Sequence, residues 1–302
     1  MKEFLLKTTF LSLPIILCFI CLETVLRQIP DDYKYKADYL DKNALQIETL
    51  ILGSSHSFFG IDPIYFENKT FNASHVSQSL DYDKEIVMNF NWENLKTIYV
   101  PISYFTMWGR LKNGGESWRC NLYYRSYGID KDIITRDKFK IFDKFSTNIR
   151  KVGAFILKDK NSITCSQLGW GTTYNSKESR NLLETGKSAS KRHTRSDINS
   201  EKYSSICKEN INYLNEIVTL AKSKKVRVVL FTPPAYKTYR ENLNTDQLAF
   251  MNDIASDIAN KYENCVYVNM MADLDFIDLD YYDADHLSEI GAKKLSKKLN
   301  GI

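Results

Sequence analysis

The sequence predicts a three-layer α/β/α domain with a parallel central sheet and one apolar helix ahead of it. Three observations lead there. Short apolar runs of strand character recur at Leu50–Leu52, Thr97–Ile102, Val226–Thr232 and Cys265–Asn269. Stretches with helical spacing separate them, at Asp83–Asn94, Ile206–Lys222, Asn244–Tyr262 and Leu287–Leu299. After residue 200 the two kinds alternate through short links, which implies parallel strands with helices on both faces. The 302 residues, 43% hydrophobic and 26% charged, suit one large globular domain with an insertion and exclude a disordered chain.

At the N-terminus, Thr8–Leu22 is almost wholly apolar, with Lys2 and Lys7 before it and Glu23 and Arg27 after it. The run is shorter than the roughly 20 residues of an ordinary span, so a cleaved signal peptide stays open as an alternative. No small-x-small cleavage site follows, which favours an uncleaved anchor over residues 1–27. Lysines on its N-terminal side place the rest of the chain outside the cytoplasm. Residues 28–42, polar and rich in Tyr and Asp, read as a stalk, and 43–302 as the domain.

Asn43–Leu52 opens that domain with its first strand. Pro63 fits the first turn of a helix. Phe71–Leu80 reads as a short strand and a polar loop. Pro101 places Thr97–Ile102 at an edge, or itself at a strand end. Between about 106 and 200 the periodicity fails, and this stretch reads as an insertion with helix over Asp130–Lys158 and much loop. Its charge is distinctive: from Arg110 to Arg195 basic residues exceed acidic ones by 11, although the whole chain carries only +4. That surplus fits a basic face toward an anionic glycan, phosphate or lipid surface, or a solvated insert. No nucleic-acid-binding signature accompanies it.

Four cysteines lie beyond the anchor, Cys120, Cys165, Cys207 and Cys265. They allow three disulfide pairings or four buried thiols. No CxxC occurs outside the anchor, and neither a metal nor a cofactor is expected.

The chemistry is expected in two distant stretches. Leu50-Ile51-Leu52 runs into Gly53-Ser54-Ser55-His56-Ser57, a strand turning sharply at its carboxyl end, where open α/β sheets place their ligands. Tyr282-Asp283-Ala284-Asp285-His286-Leu287-Ser288 precedes the last helix. A serine hydroxyl is a weak nucleophile and needs a base, and the base needs an orienting acid. Taken singly, a serine after a strand is a turn residue and D-x-x-H is a capping carboxylate with a surface imidazole. Position 57 is serine, so the G-x-S-x-G elbow of α/β-hydrolases is not met.

Together the two stretches resemble the SGNH (GDSL-like) hydrolase superfamily. The resemblance rests on the strand followed by Gly53-Ser54-Ser55 and on Asp283-Ala284-Asp285-His286-Leu287-Ser288-Glu289-Ile290-Gly291-Ala292. Gly60-Ile61-Asp62-Pro63 and Thr232-Pro233-Pro234 are similar to membrane-anchored relatives that modify cell-surface glycans. It covers roughly 43–105 and 201–302. It implies a flavodoxin-like three-layer fold, Ser55 as nucleophile, His286 as general base and Asp283 as its partner, with Asp285 a second carboxylate candidate. It further implies an extracytoplasmic esterase or O-acyltransferase, acetyl by preference, acting on a cell-envelope or exported polysaccharide, and allows a membrane acyltransferase partner. The family's oxyanion Gly and Asn are missing: the corresponding blocks read Val76-Ser77-Gln78-Ser79 and Val100-Pro101-Ile102-Ser103-Tyr104. The Ser55 amide remains, and Gln78 is expected to add its own. A catalytically weak glycan-binding or assembly component with the same fold is the alternative. His56 is a candidate substrate contact, Tyr236 and Tyr239 are candidate cleft residues, and His75 and His193 are expected on the surface or in loops.

Overall fold

A computed structural model describes residues 1–129, 139–142 and 144–302. In chain order, α1 (Lys2–Gln28) and α2 (Asp32–Asn43) lead to β1 (Thr49–Ile51), α3 (Ser55–Gly60), β2 (Thr70–Asn72), α4 (Leu80–Asn89) and β3 (Thr97–Pro101). Then follow α5 (Cys120–Tyr127), α6 (Phe145–Lys158), α7 (Leu182–His193) and α8 (Glu201–Ser223). The chain closes with β4 (Arg227–Thr232), α9 (Lys237–Arg240), α10 (Thr245–Lys261), β5 (Cys265–Asn269), β6 (Tyr281–Asp283), β7 (His286–Leu287) and α11 (Glu289–Asn300).

The chain divides into two compact units, 1–35 with 118–163 and 36–117 with 164–302. The expected insertion is thereby split, because its middle groups with the N-terminal helix. In the first unit, α1 is long and apolar enough to cross a membrane, a property that signal sequences share. Its C-terminal end is built into a small core: Leu26 and Ile29 are buried with Ile141 and Val152. Glu23 accepts hydrogen bonds from the backbone N–H groups of Lys140 (2.9 Å) and Ile141 (3.0 Å) and pairs with Arg27 at 2.7 Å. The helix expected over Asp130–Lys158 is realised as α6. Residues 130–138 and 143 of that expectation lie outside the described residues.

The second unit holds a five-stranded, wholly parallel sheet in the order β2-β1-β3-β4-β5. This is the flavodoxin-like doubly wound order, whose switch point lies between β1 and β3. Ile51, Tyr99, Val229 and Phe231 pack against Leu295 and Leu299 of α11. The strand period of two sends Leu50, Ile98, Val100, Val228 and Leu230 to the opposite face, and these are buried as well. Both faces are therefore covered, and the continuous apolar runs follow from that. Pro101 ends an internal strand rather than marking an edge, so its missing N–H falls at the end of the ladder.

Several expectations are corrected. Residues 28–42 are not an extended stalk: Asp32–Asn43 is helical, with Tyr33, Ala37 and Leu40 buried at one-turn spacing. The helix expected over Asp83–Asn94 begins earlier, at Leu80, and stops at Asn89. Pro63 opens a single 3-10 turn capped by Asp62, whose side chain accepts from the Ile64 N–H. The last helix starts at Glu289, since His286–Leu287 pairs antiparallel with Tyr281–Asp283. Cys207 and Cys265 are separately buried thiols, and burial raises them to about 11 and about 12.

Candidate active site

The site begins with the turn after β1. Gly53 has φ +107°, and a Cβ there would lie 2.0 Å from Cγ of Pro101, so only glycine lets the turn pass so close to the end of β3. Ser54 then caps α3, whose first residue is Ser55. The hairpin of β6 and β7 delivers the other groups. Ser55 Oγ lies 2.8 Å from His286 Nε2, and His286 Nδ1 lies 2.9 Å from Asp283 Oδ1. The same Asp283 oxygen accepts the backbone N–H groups of His286 (2.9 Å) and Asp285 (3.2 Å), which fixes the carboxylate before the imidazole arrives. Nδ1–H donates to Asp283, and Nε2 is left to accept the serine proton.

Three further contacts hold the hairpin in place. The Tyr236 N–H donates to the Ala284 carbonyl at 2.9 Å, and the Ala284 N–H donates to Thr185 Oγ1 at 3.1 Å. The Ser288 hydroxyl donates to the Leu279 carbonyl at 2.9 Å.

Asp285 does not orient His286 but surrounds it with charge. Its Oδ1 is 3.6 Å from His286 Nδ1, and its Oδ2 is 3.6 to 3.8 Å from Arg192, His56 and His193. Burial alone would raise this carboxyl, yet His286 and His56 outweigh it and hold Asp285 well below the usual carboxylate range. For His286 burial works toward a lower pKa, and the carboxylates of Asp285 and Asp283 reverse it to a value above 6.5. The rate of a reaction using His286 as base should therefore rise with pH, with a midpoint above 6.5, because only the neutral imidazole accepts a proton. Asp285→Asn removes a raising charge, so the midpoint should move down. A pH–kcat/KM profile of both proteins checks this, and an unchanged midpoint would contradict it.

Ser55 and His286 open onto a cavity of about 480 Å³ that Ser77, Gln78, Tyr174 and Arg192 also line. The Gln78 side-chain amide is tied to Asp83, its Nε2 donating to Oδ1 at 2.5 Å, which leaves at most its second N–H for the cavity. Ser77 stands in the left-handed region, φ +62°, which suits the glycine that the resemblance leads one to expect there. Among the described residues the Ser55 and Ser77 N–H groups have no hydrogen-bond partner, and both residues line the cavity, so both are candidate donors for an oxyanion. Asp83 ties this region together, since its Oδ1 also accepts the Gly53 N–H at 2.8 Å.

Burial raises Asp83 to about 7, against the lowering effect of its bonds from Gln78 and Gly53. A folded pKa above the unfolded 3.8 means that folding favours the protonated form. The resulting stability is fully present below about pH 4 and fades as pH rises toward 7. Asp83→Asn keeps the accepting oxygen and removes the titration. Its melting temperature at pH 8 should match or exceed that of the parent, by up to a few kcal/mol of stability. A loss at pH 8 as large as at pH 5 would contradict this reading.

The remaining candidates fall elsewhere. His56 is buried behind the cavity wall, its Nδ1 2.6 Å from Ser103 Oγ, so it is no substrate contact. Burial also lowers its pKa and keeps it neutral near pH 7. Tyr236 packs edge-on against Tyr281 (5.4 Å) and lines no part of the cavity, while Tyr239 is buried beneath it. His75 is buried rather than superficial. His193 does reach the cavity: its Nδ1 lies 2.9 Å from the Tyr239 hydroxyl, and burial lowers its pKa to about 3.

Tyr174 was not legible as a site residue. It stacks between Phe59 (3.7 Å) and Tyr282 (3.9 Å) and sets its edge toward His286 at 5.4 Å. It comes from the aperiodic insertion, where no local spacing marks a functional ring. His56, Asp285 and His286 approach within 4.8 Å as a cation site would require. Both ring nitrogens of His286 are already engaged by Ser55 and Asp283, and the two residues left fall short of the three protein ligands of a catalytic zinc.

No family model matches the chain, and no curated protein matches it. A solved structure from Streptococcus pneumonia, provisionally described as a platelet activating factor, is similar over 98% of this chain and 97% of its own, with 11% identity and a TM-score of 0.44. So distant a likeness assigns no activity.

Proposed function

We propose that the protein is a serine esterase or O-acyltransferase of SGNH type, working outside the cytoplasm from a membrane anchor. One observation carries the reading: Ser55, His286 and Asp283 form an unbroken hydrogen-bonded relay that opens onto a cavity. In this chemistry Ser55 Oγ attacks an ester carbonyl while its proton passes to His286 Nε2. The alkoxide leaving group takes that proton, and an acyl-serine remains. A sugar hydroxyl or water then attacks the acyl-serine while its proton passes to His286, the acyl–Oγ bond breaks, and Ser55 Oγ takes that proton back. Acetyl is the preferred acyl group and a cell-envelope or exported polysaccharide the preferred substrate, as the membrane-anchored relatives suggest. A membrane acyltransferase would then be a source of acyl groups. Retention of the anchor is supported by Phe19 and Leu22, which pack against the buried Leu26, Ile29, Ile141 and Val152 and which cleavage after residue 22 would remove.

The experiment is to incubate the purified full-length protein with an aryl acetate and an oligosaccharide acceptor and to follow acetate and acetylated sugar together. Acetylated sugar would establish transfer, and acetate alone hydrolysis. Saturable sugar binding with neither product would favour the glycan-binding alternative, which the absence of a third oxyanion donor in Val100–Tyr104 supports.

A further inference from the structure

We propose that α6 is a second membrane-contacting element, lying in the headgroup layer of an anionic bilayer beside the point where α1 leaves the membrane. The proposal rests on α1 crossing the bilayer and is independent of the chemistry at Ser55.

The observations lie within the first compact unit. α6 packs on the end of α1, not its beginning: Ile149, Val152 and Phe155 meet Phe19, Leu22, Val25 and Leu26. Rings of Phe19 and Phe139 lie edge to face at 5.6 Å. The large exposed apolar residues of α1 run from Phe4 to Ile20 and end where these contacts begin. The level of α6 is thus the boundary of the apolar span.

At that level α6 hides only part of its apolar surface. Phe145 is 56% exposed, Ile156 64% and Leu157 82%. Phe145, Ile149, Val152 and Ile156 follow the i, i+4, i+7, i+11 spacing of one helix stripe, so Phe145 and Ile156 continue the packed stripe into solvent, and Leu157 widens the exposed apolar surface beside Ile156. Helices of this kind settle about 5–10 Å into the boundary between headgroups and acyl chains.

Charge selects the lipid. Residues 139–163 contain six Lys and Arg against two Asp, a large share of the basic surplus noted above. Arg150 and Lys158 stand exposed on α6 itself, with Lys144 just before it and Lys160 just after, while Lys151 is half-buried beside Asp31 and Asp32. Long basic side chains beside an apolar face extend their charges toward phosphates while their stems stay in the apolar layer. Lys144 and Arg119 each lie 4.6 Å from the ring of Trp118, an indole of the type enriched at membrane–water boundaries.

The test uses full-length protein in nanodiscs, with Cys18, Cys21 and Cys165 replaced by Ser. An environment-sensitive fluorophore is placed at Leu157→Cys, at Phe145→Cys and, as control, at Thr219→Cys of α8. With phosphatidylglycerol in the bilayer, the first two labels should shift to the blue and be quenched by lipids brominated near the headgroup, while the third should do neither. Raising salt, or replacing phosphatidylglycerol with phosphatidylcholine, should weaken the quenching at positions 145 and 157. Water-like emission at both positions would overturn the proposal. So would a blue shift without lipid quenching, which would mean that protein covers this face. Loss of binding to the nanodisc altogether would instead overturn the anchor on which the proposal rests.

Discussion

Ser55→Ala is expected to lower turnover of an aryl acetate by about 10⁴-fold or more while leaving the fold intact. The hydroxyl lost is the atom that forms the covalent bond, so no neighbouring group can substitute. Its removal leaves His286 and Asp283 hydrogen-bonded to each other, because their contact at 2.9 Å does not pass through Ser55. The side chain opens a short helix and carries none of the sheet packing, so melting temperature should change little. Circular dichroism and a thermal melt of the purified variant check the fold, and esterase assays check the loss. Turnover within tenfold of the parent would exclude Ser55 as the nucleophile.

Gly53→Ala is expected to have the largest effect on stability. Two penalties coincide at this position. The backbone stands at φ +107°, which L-residues rarely adopt, and the new Cβ would lie 2.0 Å and 2.5 Å from Cγ and Cδ of Pro101. Pro101 is a rigid ring at the end of an internal strand and cannot swing aside. The main chain must move instead, and the Gly53 N–H then loses its place against Asp83. Such overpacking and strain together cost about 2–5 kcal/mol, or roughly 5–15 °C in melting temperature for a domain of this size. Activity should fall as well, since Ser55 stands two residues on. A melt unchanged to within a degree or two would show that the turn is not as tight as described.

How much of this could be read beforehand depended on how local its cause was. β4 was legible because the interior of a buried parallel strand is a continuous apolar run, as Val228–Phe231 shows directly, and β5 because Cys265–Val268 repeats that pattern beside it. The nucleophile turn was legible because Gly53 is demanded by backbone geometry, and the glycine stands in the sequence. The helix at Asp32–Asn43 carried a signal in Tyr33, Ala37 and Leu40, but the lysines and aspartates between them made the stretch read as polar linker. Ser77 gives no sign of a donor in its residue type, since a left-handed turn calls for glycine. Its φ of +62° is imposed by the surrounding loop and leaves no mark in residue type. Asp83 sits in a helix where an acid reads as solvated, and only the fold brings it to Gly53 and Gln78. Tyr174 and His193 lie in a stretch without period, and their partners Phe59, Tyr282 and Tyr239 are far away in sequence.

The most direct measurement of the central claim is the intact mass of the full-length protein during reaction with an activated acetyl ester, followed by peptide mapping. The account predicts a gain of one acetyl group on the peptide containing Ser55, at that residue, which decays in water and faster when a sugar acceptor is supplied. Ser55→Ala should show no such gain under the same conditions. An acetyl group found only on surface lysines, equally in parent and variant, would contradict it.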